Sequence, residues 1–399
     1  MSCINSVQLM DAITRPPRDD QYTERNLVGG SRATFALSHQ GMPKQKYYRE
    51  DMILENRRGE SLSCSHYRPC VVHSDDGAAP CVIYCHANSG SRRDAEEIVY
   101  SLLPYSISVF AMDFSGSGKS GGAWVTLGAN EVDDLDVVVE YLRKSQHVST
   151  IGLWGRSMGA VTALMYSYRD PSIAVVVADS PFSNLVELMV ELATNKEQGM
   201  AIPKPVVKVL LTFMRRSIRK RAGFRIDDVS PIDMMPTTYV PTLFGHGKDD
   251  TFIPLHHSER LFVAHGSDMK HFVAFEGDHN GVRPSYWYDN GMTFMLSGLH
   301  GSAAVPPQIC TSSIPAAAVE EEEDTEEDHD DDTVEEEEED EDAVVQRVLE
   351  MSLEEDNASR RREALEEEQQ QLEQALQASL QECMQTTQEQ GPSTCVSKR

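Results

Sequence analysis

The sequence contains no apolar run of about twenty residues, the length that a membrane-spanning helix needs. Its beginning, MSCINSVQLMDAITRPPRDD, also lacks an apolar core of signal-peptide length. We therefore expect no transmembrane segment and a cytoplasmic location. Ser2 excludes N-myristoylation, which requires glycine at that position, whereas lipidation of Cys3 is left open.

The cysteines and glycines form no recognisable metal or nucleotide motif. The eight cysteines include no CxxC pair and no His/Cys spacing typical of a metal site. Cys81 and Cys85 lie in the apolar run PCVIYCHA, where a buried free thiol is the usual state. The glycine-rich stretch DFSGSG at 113–118 lacks the lysine of GxxxxGK[ST] and completes no GxGxxG, so it indicates a tight turn. The sequence thus predicts a reducing compartment, no metal and no cofactor.

Negative charge is concentrated at one end of the chain. The formal net charge is −28, and residues 301–399, with 30 acidic and 6 basic side chains, carry −24 of it. The rest of the chain is nearly balanced, so no large basic surface is available for phosphate, and we expect no nucleic-acid partner. We predict that residues 299–342 form a disordered linker. They consist of an Ala/Pro/Ser-rich part and an acidic run, and neither can build an apolar core.

The body alternates short apolar segments with segments of helical periodicity. After a mixed extension at residues 1–45, a hairpin with its turn at Arg58-Gly59 leads into strands and helices that alternate from residue 82 to residue 296. This pattern is typical of an α/β domain with a mostly parallel sheet and helices on both faces. We place the domain at 46–298, and its ligand beyond the carboxyl ends of the strands.

A Met- and Leu-rich segment at 183–236 interrupts the alternation. Pro203 and Pro205 break its helical pattern, and we interpret the segment as an inserted helical cap. Its second half carries eight cationic side chains: Lys204, Lys208, Arg215, Arg216, Arg219, Lys220, Arg221 and Arg225. These could form a solvated helix face, or a surface for an anionic substrate, for acidic lipid or for the chain's own acidic tail.

The pentapeptide Gly155-Arg156-Ser157-Met158-Gly159 follows a predicted strand and precedes a predicted helix. Glycine two residues either side of the serine permits a tight strand-to-helix turn, which a larger side chain would obstruct. The turn exposes the Ser157 hydroxyl at its tip. A serine hydroxyl becomes a useful nucleophile only when an imidazole takes its proton and a carboxylate orients that imidazole.

Residues of both required types follow later strands. Asp250 lies four residues after His246 and four before Pro254, the register HGxxDxxxP, which favours it over Asp249. Asp179 is a third candidate acid. For the base we choose His279, in the loop GDHN after the last strand, over His246, His256, His257 and His271. The order Ser157, Asp250, His279 is the one that this sheet topology requires.

Backbone amides next to the nucleophile are candidates for stabilising a developing oxyanion. The first is Met158, which follows Ser157, and the second lies in the loop HANSG after the first parallel strand. We assign the second donor to Asn88. Ala87 replaces the glycine usual after that histidine, so another amide of the loop is an alternative.

The ordered motifs HANSGS, DFSGSG, GRSMGA, HGKDDTFIP and GDHN resemble the α/β-hydrolase superfamily. The greatest similarity is to protist and plant cytosolic serine hydrolases filed as prolyl-oligopeptidase-like or serine-aminopeptidase-like peptidases. The resemblance covers about residues 45–298 and implies a serine hydrolase with Ser157 as nucleophile, Asp250 as acid and His279 as base. The resemblance is equally compatible with an acyl esterase or an acyl-protein thioesterase instead of a peptidase. The N-terminal 45 residues are too short for the propeller of true oligopeptidases.

Helical patterning returns twice at 343–385, before a final disordered stretch at 386–399. The later repeat resembles the ubiquitin-interacting motif, with acidic residues ahead of an apolar stripe and a small residue: Leu372, Ala375, Leu376 and Ser379. The earlier one is degenerate, because Val348 stands where Ala is expected between Val345 and Ser352. The resemblance implies ubiquitin as a partner beside an acyl substrate. The alternative function is therefore a ubiquitin-binding adaptor on a hydrolase scaffold, and an isolated Glu/Gln-rich helix also fits.

Overall fold

The computed structural model describes residues 14–37, 45–72, 77–194 and 204–300. The strands of this part form one nine-stranded sheet. They are β1 Ala33–Leu37, β2 Gln45–Glu55, β3 Ser61–Pro69, β4 Ala79–Cys85, β5 Ser108–Met112, β6 Val148–Arg156, β7 Val175–Asp179, β8 Thr242–Gly247 and β9 Lys270–Phe275. The helices are α1 Glu96–Leu102, α2 Glu131–Lys144, α3 Met158–Arg169, α4 Leu185–Thr194, α5 Lys204–Ala222, α6 Pro231–Met234, α7 His256–Ala264 and α8 Ser285–Leu299.

The sheet is mixed at one edge and parallel elsewhere. The strand order is β1-β2-β3-β5-β4-β6-β7-β8-β9. β1, β2 and β3 pair antiparallel, β3 pairs antiparallel with β5, and every pair from β5 to β9 is parallel. The prediction of a mostly parallel sheet entered by a hairpin is confirmed. The hairpin turn lies where expected, with Gly59 at φ 77°, a value that glycine adopts without strain.

Helices cover both faces of the sheet. Alternate residues of β7 point to opposite sides, so Val176 and Ala178 join the core beneath α2 and α3, while Val175 and Val177 join the core beneath α1 and α8. A strand buried on both faces needs apolar residues at every position, which explains the unbroken VVVA of β7. The carboxyl ends of β4, β6, β7, β8 and β9 consequently meet at one edge of the sheet.

The N-terminal segment is part of the body, which the mixed pattern before residue 46 did not reveal. β1 extends the sheet beside β2, and the buried side chain of Arg49 donates through Nη1 to the carbonyl oxygens of Leu27 (3.1 Å) and Val28 (3.0 Å). The Trp124 ring contacts two guanidinium groups, with Cζ of Arg15 5.2 Å and Cζ of Arg221 5.4 Å from its centroid. N-terminal residues therefore pair with the sheet, and one of them shares the Trp124 ring with an arginine of the cap.

The predicted cap contains α4 and α5. Leu188 and Met189 of α4 and Met214 and Ile218 of α5 pack into the same core as α3, so these helices are anchored to the body. Three cationic side chains on the outer face of α5 are exposed, Arg216, Arg219 and Lys220. Within the described ranges, no helix is long and apolar enough to cross a membrane.

Candidate active site

The turn between β6 and α3 holds Ser157 in an unusual backbone conformation. Its φ is 51° and its ψ is −119°, a left-handed value that a non-glycine residue adopts only when its surroundings impose it. The flanking glycines allow the required close approach. A Cβ on Gly155 would collide with the carbonyl oxygen of Gly159, and a Cβ on Gly159 would collide with that of Cys85 at the end of β4. The Ser157 amide donates to the Asp179 carbonyl oxygen at 2.8 Å.

The three predicted catalytic side chains lie together at the carboxyl edge of the sheet. Ser157 Oγ is 3.0 Å from His279 Nε2, and His279 Nδ1 is 2.7 Å from Asp250 Oδ2. A carboxylate accepts only, so Nδ1 carries the imidazole hydrogen and Nε2 offers its lone pair to the serine hydroxyl. Ser157 and His279 keep 8% of their surface accessible, which leaves room for a ligand to reach the hydroxyl.

The Asp250 carboxylate is fixed on both oxygens. Oδ1 accepts from the amides of Phe252 (3.0 Å) and Ile253 (2.7 Å), so the loop after β8 folds around it. Oδ2 accepts from His279 and also lies 3.3 Å from His246 Nε2. Burial raises the pKa of Asp250, but the facing His279 and the hydrogen bonds from both histidines outweigh burial and lower it well below its usual range. The carboxylate is therefore charged at neutral pH.

His246, which the sequence offered as another base, supports this loop instead. Its Nε2 lies 2.7 Å from the carbonyl oxygen of Ile253, and its Nδ1 accepts from the hydroxyl of Ser258 at 2.6 Å. Both ring nitrogens are thus engaged with neighbours of the acid loop. In the register HGxxDxxxP the histidine therefore positions the aspartate.

Comparison with known proteins agrees with this architecture. The family model described as "Hydrolase_4: Serine aminopeptidase, S33" matches residues 78–235, which include the Ser157 turn but neither Asp250 nor His279. Among solved structures, the Pyrococcus furiosus esterase Pf2001 superposes with a TM-score of 0.53 at 19% identity, covering 72% of this chain and 98% of that protein. The chain has the α/β-hydrolase fold. This fold supports the resemblance of the ordered motifs to the α/β-hydrolase superfamily. At 19% identity, the similarity to the Pyrococcus furiosus protein concerns the fold alone.

Two bacterial proteins resemble part of this chain in sequence. The uncharacterized protein YqkD of Bacillus subtilis is 31% identical over 202 residues, 50% of this chain and 64% of the relative. The uncharacterized protein YfhR of Escherichia coli K12 is 26% identical over 244 residues, 58% of this chain and 75% of the relative. The chain thus covers just under two thirds of YqkD.

A buried ion pair beneath the His279 loop of the α/β-hydrolase fold was not foreseen. Asp179, the third candidate acid, lies at the end of β7 and pairs with Arg283, whose Nε is 2.9 Å from Asp179 Oδ2. Both side chains are almost completely buried. Burial raises the pKa of Asp179, but the charge and hydrogen bonds of Arg283 outweigh this and lower it. In the structure Asp179 therefore pairs with Arg283, and Asp250 accepts a hydrogen bond from His279.

Two arginines hold the backbone of the His279 loop. Nη2 of Arg283 donates to the carbonyl oxygen of His279 at 3.0 Å, and Nη2 of Arg156 donates to the same oxygen at 3.2 Å. Nη1 of Arg156 also lies 3.8 Å from Glu97 of α1. Arg156 directly precedes the candidate nucleophile, but nothing in the sequence connects it to a loop more than a hundred residues away. Neither arginine was predicted from the sequence.

The predicted oxyanion donors lie in the expected elements. Met158 begins α3, and the first amides of a helix have no partner within the helix. Asn88 lies in the loop after β4, whose last residue, Cys85, touches the start of α3 at Gly159. His86 fixes that loop, because its Nε2 accepts from the Phe114 amide at 3.0 Å. The donor roles of Met158 and Asn88 stay predictions.

One cluster of metal-ligand type lies outside these residues. In the described part of the chain, Glu191 of α4 and His256 and His257 of α7 bring three ligand atoms within 4.8 Å of one another. No metal site was expected from the sequence, because no CxxC pair or His/Cys spacing indicated one. The two elements of this cluster are distant in the chain. The ubiquitin-motif residues of the tail, Val345, Val348, Ser352, Leu372, Ala375, Leu376 and Ser379, lie outside the described residues.

Proposed function

We propose that this protein is a serine hydrolase that cleaves an acyl bond, an ester, thioester or peptide, through an acyl-enzyme on Ser157. The observation that carries the proposal is the continuous chain of hydrogen bonds from Ser157 Oγ through the His279 ring to Asp250. The His279 imidazole is protonated as a general base requires, because its unprotonated Nε2 faces the Ser157 hydroxyl. The positive φ of Ser157 adds support, because strained backbone conformations of this kind cluster at functional sites, where the surrounding structure holds them in place.

The geometry supports a two-stage reaction. In acylation His279 Nε2 accepts the Ser157 proton while Oγ attacks the acyl carbon, and the imidazolium then gives that proton to the leaving alcohol, thiol or amine. In deacylation the same nitrogen takes a proton from water, which attacks the acyl-enzyme; the imidazolium then returns that proton to Ser157 Oγ as the acid is released. Asp250 keeps the ring in the correct tautomer and offsets its positive charge. We assign the oxyanion to the amides of Met158 and Asn88.

We propose that the cleaved bond joins an acyl group to its leaving group, and we leave ester, thioester and peptide bonds open. The matching family model is named for serine aminopeptidases, whereas the superposed Pyrococcus furiosus protein is an esterase. Esters and thioesters release leaving groups that need less protonation than an amine, so one triad can serve each class. A panel of p-nitrophenyl esters, acyl thioesters and aminoacyl amides would separate peptidase from esterase and thioesterase, because the preferred class should show the highest kcat/KM.

Labelling with a fluorophosphonate tests the serine mechanism. The wild-type protein should be labelled, and Ser157→Ala should lose the label, because only an activated serine attacks the phosphorus at an appreciable rate. Ser117→Ala is the matched control, since Ser117 lies in another glycine-flanked turn and its buried hydroxyl has no hydrogen-bond partner among the residues that the structure describes. Equal labelling of the wild-type protein and Ser157→Ala would refute the proposed nucleophile.

We further propose, on the sequence motif alone, that residues 343–385 bind ubiquitin. An apolar stripe with a small residue suits the hydrophobic patch of ubiquitin. Full-length protein titrated with mono-ubiquitin should bind, and Leu376→Ala should weaken binding severalfold without changing fluorophosphonate labelling. Unchanged binding by Leu376→Ala, or no binding by the wild-type chain, would contradict this second function.

A further inference from the structure

The cluster of Glu191, His256 and His257 joins the cap to the body. Glu191 lies on α4, and the two histidines are the first residues of α7. His256 Nε2 is 3.0 Å from Glu191 Oε1, and His257 Nε2 is 3.1 Å from Glu191 Oε2. Both imidazoles thus direct the same ring nitrogen at one carboxylate.

These separations are close to those of a tetrahedral zinc site. With metal–ligand bonds of about 2.0–2.1 Å, neighbouring ligand atoms lie about 3.3 Å apart. The distances of 3.0 and 3.1 Å join the two imidazole nitrogens to different oxygens of the Glu191 carboxylate, and one ligand atom from each of the three residues lies within 4.8 Å of the other two, so a small shift of these side chains would admit an ion. Two imidazoles and one carboxylate are donors that zinc accepts, and three protein ligands leave a fourth position for water. We propose that Glu191, His256 and His257 bind one Zn²⁺ ion.

Ser183 provides the outer hydrogen bond that a zinc-bound imidazole usually makes. The hydroxyl of Ser183 lies 2.7 Å from His257 Nδ1. Without metal the hydroxyl can donate to Nδ1 while Nε2–H donates to Glu191. With zinc on Nε2, the proton sits on Nδ1 and donates to the same hydroxyl, after a rotation of its O–H bond. The change costs one weak contact, the 3.3 Å hydrogen bond from the Ser183 amide to Nδ1.

The His256 and His257 rings are stacked so that both Nε2 atoms face the Glu191 carboxylate. Successive residues of a helix project about 100° apart. Here the rings of His256 and His257 nevertheless stack, with centroids 4.5 Å apart and planes 27° apart. His257 is buried, whereas the side chains of His256 and Glu191 are 42% and 31% exposed, so an ion can enter from solvent. The carboxylate gives the site a net negative charge.

Zinc at this position would fix α4 against α7. α4 is part of the cap, and α7 directly follows the loop that carries Asp250, so the ion would restrict movement of the cap relative to that loop. The inference goes beyond the proposed hydrolase activity and does not depend on it. A carboxylate bridging two neutral imidazoles by hydrogen bonds alone is the alternative that the experiment must distinguish.

The test measures zinc binding by the full-length protein after chelator treatment and dialysis, in competition with a chromophoric chelator. We expect one saturable site per wild-type chain, unaffected by millimolar Mg²⁺, which prefers oxygen ligands. Glu191→Gln and His256→Gln should each weaken zinc affinity at least tenfold. Ser183→Ala should weaken it about tenfold, because it removes the outer hydrogen bond. At free zinc 100-fold above the dissociation constant, the Tm of the wild-type protein should rise by about 5 °C.

Glu259→Gln is the matched control, because Glu259 is an exposed carboxylate on α7 outside the cluster. It should bind zinc like the wild-type chain and show the same rise in Tm. His256 and Glu191 are partly exposed, so their variants should fold, which the zinc-free Tm verifies. Zinc affinity and Tm rise that are unchanged in both Glu191→Gln and His256→Gln would overturn the proposal. Failure of the wild-type chain to bind one equivalent would overturn it as well.

Discussion

Replacing Asp250 with asparagine is expected to lower kcat about 10⁴-fold. The asparagine oxygen can still accept from the amides of Phe252 and Ile253, so the loop should keep its shape. Its amide NH₂ would then face His279 Nδ1 and force the imidazole hydrogen onto Nε2. That tautomer cannot take the proton of Ser157. Steady-state hydrolysis of the best ester from the substrate panel measures the loss, and the free energy of unfolding by urea shows whether the fold is retained.

Asp249→Asn is the matched control for this result. Asp249 is the adjacent carboxylate of the same loop, it is exposed, and its Oδ2 accepts only a 3.3 Å hydrogen bond from the Gly277 amide among the contacts described for it. Its replacement should change kcat by no more than severalfold. If Asp249→Asn lost activity while Asp250→Asn kept it, the acid would have been assigned to the wrong neighbour.

Asp179→Ala is expected to lower the free energy of unfolding by about 3–5 kcal/mol. Arg283 is 1% exposed, so removing its carboxylate leaves a guanidinium charge buried without its partner. Because Arg283 also donates to the His279 carbonyl oxygen, the loop should loosen and fluorophosphonate labelling should slow. Urea denaturation followed by circular dichroism measures the first effect, and the labelling rate measures the second.

Two further variants make the Asp179 result specific. Lys144→Gln breaks the surface pair Lys144–Glu140, whose side chains are 74% and 55% exposed, and should leave the free energy of unfolding almost unchanged, because solvent screens the pair. The double variant Asp179→Leu/Arg283→Met removes both charges and should recover much of the lost stability, while labelling stays slow because the loop has lost its donor. A loss as small as that of Lys144→Gln would mean that Asp179 and Arg283 contribute little to folding.

Local patterns carried most of what the sequence could predict. The alternation of apolar and helical segments predicted a mostly parallel sheet with helices on both faces, and the ordered motifs added the resemblance to the α/β-hydrolase fold; both are confirmed. Glycines at 155 and 159 predicted the turn at Ser157, because their requirement is steric and confined to neighbouring backbone. Asp250 and His279 could be chosen because each follows a strand whose carboxyl end meets the others at one edge. The structure brings both to Ser157, and their catalytic roles stay predictions.

Long-range polar contacts could not be predicted. Arg156 donates to the His279 carbonyl oxygen across 123 residues of chain, and Arg283 pairs with Asp179 across 104 residues. No periodicity encodes such a meeting. β1 was missed because its side chains are mostly exposed, so it lacks the apolar alternation of a buried strand. Glu191 and the His256-His257 pair likewise come together only because α4 folds back onto α7.

The position of Trp124 gives the protein an internal optical reporter. The chain has three tryptophans, and Trp154 and Trp287 stack edge to face in the core with centroids 6.3 Å apart. Trp124 alone stands partly exposed in contact with Arg15 and Arg221, the second of which belongs to α5. Displacement of α5 by a ligand would remove one guanidinium from the indole face and change its polarity. Emission from Trp124 should therefore follow cap movement without any attached dye, while the two core indoles provide a constant background.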